Sequence, residues 1–332
     1  MSFVEVPGPA EQPRHVLVVP HGSATTLTDL AEAWFPGVGW LQEPAQVAGS
    51  GPASGARFRG VQAETVTGPG LLTLGQEHTV AGPYPVPAEH TARLEVGPGE
   101  AVAFTIGRLD GTVGPRGARP TAYDDRDGIV RAFARGLPEG EELRVVQWAV
   151  AVARKFGGVV LADGHELLRP DPEAAVDLSL FSAQALPSAE LLAMLRSIVA
   201  TAELEAESTT PNGSVQYRLA AHTTYDGGLV AHVEHVDFVP RALAALEWRS
   251  YGPFAYRCTW LPQDPYELEV ERPSGVHVIA RARMRGLVAR LAAMLQDRVG
   301  GVLVDDGGFV VSPEELDRRL SAPGASGTRA WI

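Results

Sequence analysis

His222, His232 and His235, with Glu234 and Asp237 beside them, are residue types that hold a metal ion when they converge. Zinc needs three or four donors at about 2 Å. The stretch from Val230 to Phe238 reads as a strand, on which neighbouring side chains alternate faces. His232 and His235 therefore diverge, and His222 shares a face with only one of them. The three are expected to be sheet-surface histidines, and no metal site is expected.

The other motifs are each incomplete. Pro20-His21-Gly22-Ser23 carries the His-Gly pair that builds an oxyanion hole in serine hydrolases, but no G-x-S-x-G elbow supplies a nucleophile. His21-Gly22 then reads as a turn and Ser23 as a helix cap. Asp124-Asp125-Arg126-Asp127-Gly128 hints at a calcium loop. The EF-hand pattern would place its first ligand at Tyr123 and its closing glutamate at Ala134, so an acidic turn is expected instead. His165-Glu166 lacks the second histidine of HExxH, and Asp163-Gly164 and Asp306-Gly307 read as hairpin turns. Phosphate loops and dinucleotide fingerprints do not occur, and no cofactor is expected.

Positive charge gathers in one region. Arg108, Arg116, Arg119, Arg126, Arg131 and Arg135 crowd a chain whose net charge is −12. Arg108, Arg116, Arg119 and Arg126, with His21, are the candidate ligand-binding residues, suited to a carboxylate, a phosphate or an acidic surface. Pairing with nearby aspartates is the competing reading. The overall charge opposes a nucleic-acid partner, since phosphate binding needs a basic surface. One cysteine, Cys258, excludes an internal disulfide. Neither a signal peptide nor a membrane span is read in the sequence, so a cytoplasmic protein is expected.

The elements that position these residues come in two sets. Residues 156–170 (FGGVVLADGHELLRP) and 299–313 (VGGVLVDDGGFVVSP) repeat Gly-Gly-Val, Asp-Gly and Pro at one offset of 143. Ahead of each lies an apolar stripe at helical spacing: Val145, Trp148, Ala149 and Val152 in one, Val288, Leu291, Ala292 and Leu295 in the other. Leu94-Glu95-Val96 and an expected strand Ala101–Ile106 are matched with Leu268-Glu269-Val270 and an expected strand Val276–Ala280, at an offset of 174. That mismatch implies an insertion of about residues 110–140 in the first copy.

The expected fold is α+β: two tandem ferredoxin-like two-layer repeats, antiparallel sheets with helices on one face, at 1–172 and 173–320, then a tail at 321–332. The expected function is non-enzymatic binding or regulation, engaging a protein or small anionic ligand through the insertion or the inter-repeat groove. One alternative is a hydrolase or transferase with a dispersed site, His21 and Ser23 being first suspects. The other is a structural subunit docking through Trp331.

Overall fold

The computed structural model describes residues 15–22, 27–48, 65–97, 99–121, 125–209, 213 and 215–322. Among these residues, two large antiparallel sheets, one separate two-stranded ladder and seven α-helices make a mixed α+β protein. The chain divides into two compact units, Met1–Tyr123 with Gly128–Pro170, and Asp124–Asp127 with Asp171–Ile332.

The first unit contains β1 (His15–Pro20), α1 (Leu27–Glu32), β2 (Trp40–Gln42), β3 (Gln46–Ala48), β4 (Thr65–Thr67), β5 (Gly70–Leu74), β6 (His78–Val86), α2 (Ala88–Leu94), β7 (Ala101–Arg108), α3 (Ile129–Ala132), α4 (Glu141–Phe156), β8 (Val159–Ala162) and β9 (Glu166–Leu168). Its main sheet runs β2-β5-β6-β7-β1-β8-β9, and β3 pairs only with β4. The second unit contains β10 (Leu178–Ser182), α5 (Ser188–Ile198), β11 (Glu203–Thr209), β12 (Val215–His222), β13 (Gly228–His235), β14 (Phe254–Leu261), α6 (Gly275–Val299), β15 (Val302–Asp305) and α7 (Pro313–Ser321). Its sheet runs β11-β12-β13-β14-β10-β15.

The sequence explains the centre of each sheet. His15-Val16-Leu17-Val18-Val19 is a β-branched run that suits a strand buried on both faces, and all five residues are buried. The stripe of α4, Val145, Trp148, Ala149 and Val152, is buried against β1 and β8. Trp148 also donates its indole N–H to the carbonyl of Leu30 at 3.0 Å. In the second unit, α6 lies over β10, β14 and β15 through Met284, Leu287, Val288, Leu291 and Leu295.

The repeated Gly-Gly pair does the same two jobs in each unit. Gly157 and Gly300 close their helices at φ 68° and 66°, a region that costs glycine nothing. Gly158 and Gly301 then pass the backbone of the first strand so closely that a Cβ would lie 2.3 Å from the Val18 carbonyl oxygen in one case and 2.2 Å from that of Phe181 in the other. Val159 consequently pairs with Val18, and Val302 with Phe181. The hairpins keep the same register, Leu161 opposite Leu167 and Val304 opposite Val310.

Three expectations need correction. Val276–Ala280 is the first turn of α6, not a strand. Its β-branched run looks extended, but Ser274 caps the helix by accepting from the His277 N–H, and His277, Ala280, Arg281 and Met284 are buried at helical spacing. Leu94 likewise ends α2. The offset of 174 therefore matched a strand with a helix, and the strand that flanks β10 as β7 flanks β1 is β14. Residues 109–140 join β7 to α4, and residues 262–274 join β14 to α6.

The third correction concerns the first unit, which has helices on both faces of its sheet, whereas in the second unit α5, α6 and α7 share one face as expected. Opposite α4, Leu94 of α2 packs on Val18, Ala103 and Leu161. Opposite α6, Leu243 and Tyr251, from the connection between β13 and β14, pack on Phe181, Ala255 and Val304. Strand β11 was not foreseen, because Glu203, Glu205 and Glu207 give it little β-propensity.

Candidate functional site

In the first unit, four elements bring charges to one buried point. β1 starts with His15, α4 with Glu141 and Glu142, the β8–β9 turn holds Asp163, and the connection after β7 carries Arg116. Arg116 lies 2.8 Å from Glu142 Oε1 and 3.0 Å from Asp163 Oδ1, with its guanidinium 5.6 Å above the Phe133 ring. Burial alone would push the Glu142 carboxyl up, but hydrogen bonds from His15 and Arg116 outweigh it and hold the group at about 2.

His15 has a determined tautomer. The Asp163 N–H donates to Nδ1 at 3.1 Å, so the ring proton sits on Nε2 and is directed at Glu142 Oε1, 3.2 Å away. His15, Glu142 and Asp163 are close enough together to suggest a metal centre. Neither carboxylate is vacant, however, because Arg116 sits on both, and His15 has no lone pair to offer in this tautomer. The cluster works as an ion-paired clasp, with Arg116 as its resident cation.

His78 of β6 is placed differently. It donates from Nδ1 to Glu141 Oε1 at 2.9 Å, while Glu141 also accepts from the N–H groups of Gln76 and Glu77. Burial raises the Glu141 carboxyl, and these hydrogen bonds more than reverse that. His78 Nε2 and Glu142 Oε2 are both buried without a hydrogen-bond partner. Both residues line a crevice of only about 10 Å³, about the size of one water and far below a substrate.

The second unit has an opening of its own. A cleft of about 430 Å³ lies on the sheet face away from α6, lined by Phe181, Phe238, Arg257, Val304, Asp305 and Asp306 among others. Phe238 is 90% exposed at its mouth. Asp306 is held by Arg126 at 3.3 Å, and Arg257 contacts Glu234 at 2.9 Å. Nearby Asp177 is pushed up to about 6, first by burial and then by Asp306, although it accepts from the Trp260 N–H at 2.9 Å. Cys258, buried beside it, is pushed up to about 12 and is unreactive as a thiol.

The arginines singled out in the sequence are not brought together. Arg108 pairs with Glu77 and Asp110, Arg116 with Glu142 and Asp163, and Arg126 with Asp306. Arg119 is exposed. His21 is an exposed turn residue whose N–H donates to the Glu100 carbonyl, and Ser23, Asp124 and Trp331 lie outside the described residues. His222, His232 and His235 do not converge: His232 sits between Arg218 and Arg257 in the ladder, His222 is opposite Gly228, and His235 packs edge-on against Phe254.

Sequence reasoning passed over His15, His78 and Glu142. Two adjacent glutamates at a helix start are ordinary dipole partners, and a histidine heading an apolar strand is an ordinary core residue. Asp163 was read as a turn, which it is, at φ 48°. Its second role needs Arg116, 47 residues away. No family model matches the chain, and no curated protein or solved structure matches it.

Proposed function

We propose that the chain is a binding or regulatory protein that holds a peptide-like segment of a partner in the cleft of the second unit. The observation that carries this is Phe238, an aromatic ring left 90% exposed at the mouth of a 430 Å³ cleft. Arg257, paired with Glu234, and Asp305 and Asp306, the latter paired with Arg126, give its walls both signs of charge, which suits the mixed polar groups of a peptide beside an apolar side chain. Arg126 connects the long connection after β7 to this wall through Asp306.

We also propose that the units are tandem copies of one ferredoxin-like plan with added strands. The orders β8-β1-β7-β6 and β15-β10-β14-β13 arrange the strands in the same way around the first one. A photo-crosslinking residue at position 238 tests the binding reading, with position 225, also exposed at Tyr225, as control. A partner captured from 238 and not from 225, and lost on Asp305→Asn with Asp306→Asn, supports it. Identical capture from both positions overturns it.

A further inference from the structure

Strand β11 stands out in its sheet because all seven of its residues, Glu203–Thr209, are exposed. It is the outermost strand, hydrogen-bonded on one side to β12 and, among the described residues, to nothing on the other. Such an edge presents a row of free backbone donors and acceptors.

The register sorts its side chains by face. Leu204 is opposite Leu219, and Thr209 opposite Val215, on the side that carries the helices. Leu204 and Val215 nevertheless remain 41% and 45% exposed there. Glu203 is opposite Ala220 on the other side, and Glu205, at the bulge between Leu204 and Ala206, reaches Arg218 at 2.6 Å on that same side. Glu207, opposite Tyr217, lies on the helix side and accepts from the Ser188 hydroxyl at 2.9 Å, so glutamates stand on both faces of the edge.

We propose that the outer edge of β11 accepts one extended basic peptide strand that also presents an apolar side chain to Leu204, extending the sheet by one strand. Basic side chains of the added strand would meet Glu203, Glu205 and Glu207, and an apolar one would cover Leu204. A second copy of this chain is the less favourable occupant, because pairing two such edges sets glutamates against glutamates and the bulge interrupts the ladder. The net charge of −12 also favours a basic partner. This inference stands apart from the cleft, and either can fail alone.

The probe is a capped seven-residue peptide of alternating valine and lysine, with an alternating valine–glutamate peptide as control. Hydrogen exchange should show new protection confined to residues 203–209. Binding should weaken with salt, and the glutamate peptide should bind about tenfold more weakly or worse. Glu203→Lys combined with Glu205→Lys should reverse that preference, with circular dichroism confirming that the variant folds. No protection at saturating peptide, or equal binding of the two peptides, overturns the proposal. Protection of the same amides that rises with protein concentration in the absence of peptide also overturns it, and assigns the edge to a second copy.

Discussion

Arg116 reaches from the long connection after β7 to within 2.8 Å of Glu142 Oε1, a carboxylate that is only 7% exposed at the head of α4. A carboxylate so placed is stable as an ion only while its countercharge is present. Arg116→Ala should therefore cost about 2–4 kcal/mol in chemical denaturation of the first unit. Glu142→Gln on that background should recover part of the loss, because it removes the charge left behind. Strict additivity of the two changes would show that they do not act as a pair.

The pH dependence of the same pair has a definite sign. Glu142 is held at about 2 in the folded protein, below its ordinary 4.5. Its contribution is complete above the unfolded value and is lost as pH falls from about 4.5 toward 2. Denaturation midpoints measured from pH 6 to pH 2.5 should fall in this window, and should fall less in Glu142→Gln.

Asp177 runs the opposite way. Its folded value is raised from 3.8 to about 6, so the folded state binds the proton more tightly than the unfolded state. Its contribution is present below about pH 4 and is lost as pH rises to 6. Asp177→Asn keeps an oxygen for the Trp260 N–H and removes the charge. It should be more stable than the parent at pH 7.5 by about 1–2 kcal/mol, with the difference vanishing at pH 4.

The second glycine of each repeated pair should resist substitution. Gly158→Ala and Gly301→Ala would each press a methyl group against a carbonyl oxygen, at 2.3 and 2.2 Å. Each should cost about 2–4 kcal/mol, Gly301→Ala the more because its φ is +116°. Gly275→Ala, in open space at the head of α6, should instead be neutral or gain up to about 1 kcal/mol in thermal unfolding.

Cys258 offers a probe of the second unit. Its thiol is 1% exposed and held at about 12. Labelling by a thiol reagent should follow the opening of the β13–β14–β10 core, at the rate of the slowest amide exchange there. Rapid labelling under native conditions would contradict this burial.

Much of the fold was legible because it is local. The stripe of α4, the Gly-Gly caps and the Asp163-Gly164 turn depend on residues within a few positions of one another. The start of α6 was misread for the same reason: Val276-His277-Val278-Ile279 has the composition of a strand, and a cap at Ser274 together with burial further along the helix decides otherwise. Of the candidate site, Arg116 and Arg126 were identified as charges worth attention. Their partners were not, because Glu142, Asp163 and Asp306 lie far along the chain.

By itself the sequence determined the α+β character, the repeated helix–Gly-Gly–strand–turn element and the acidic balance, because periodicity, glycine geometry and charge count need no tertiary contacts. Only the tertiary structure decided that His15 is saturated, that Arg116 closes a clasp, that Phe238 stands at a cleft and that β11 presents a bare edge. Each of these depends on which distant residues share a few ångströms, and on what covers a face, and neither is encoded in spacing along a chain.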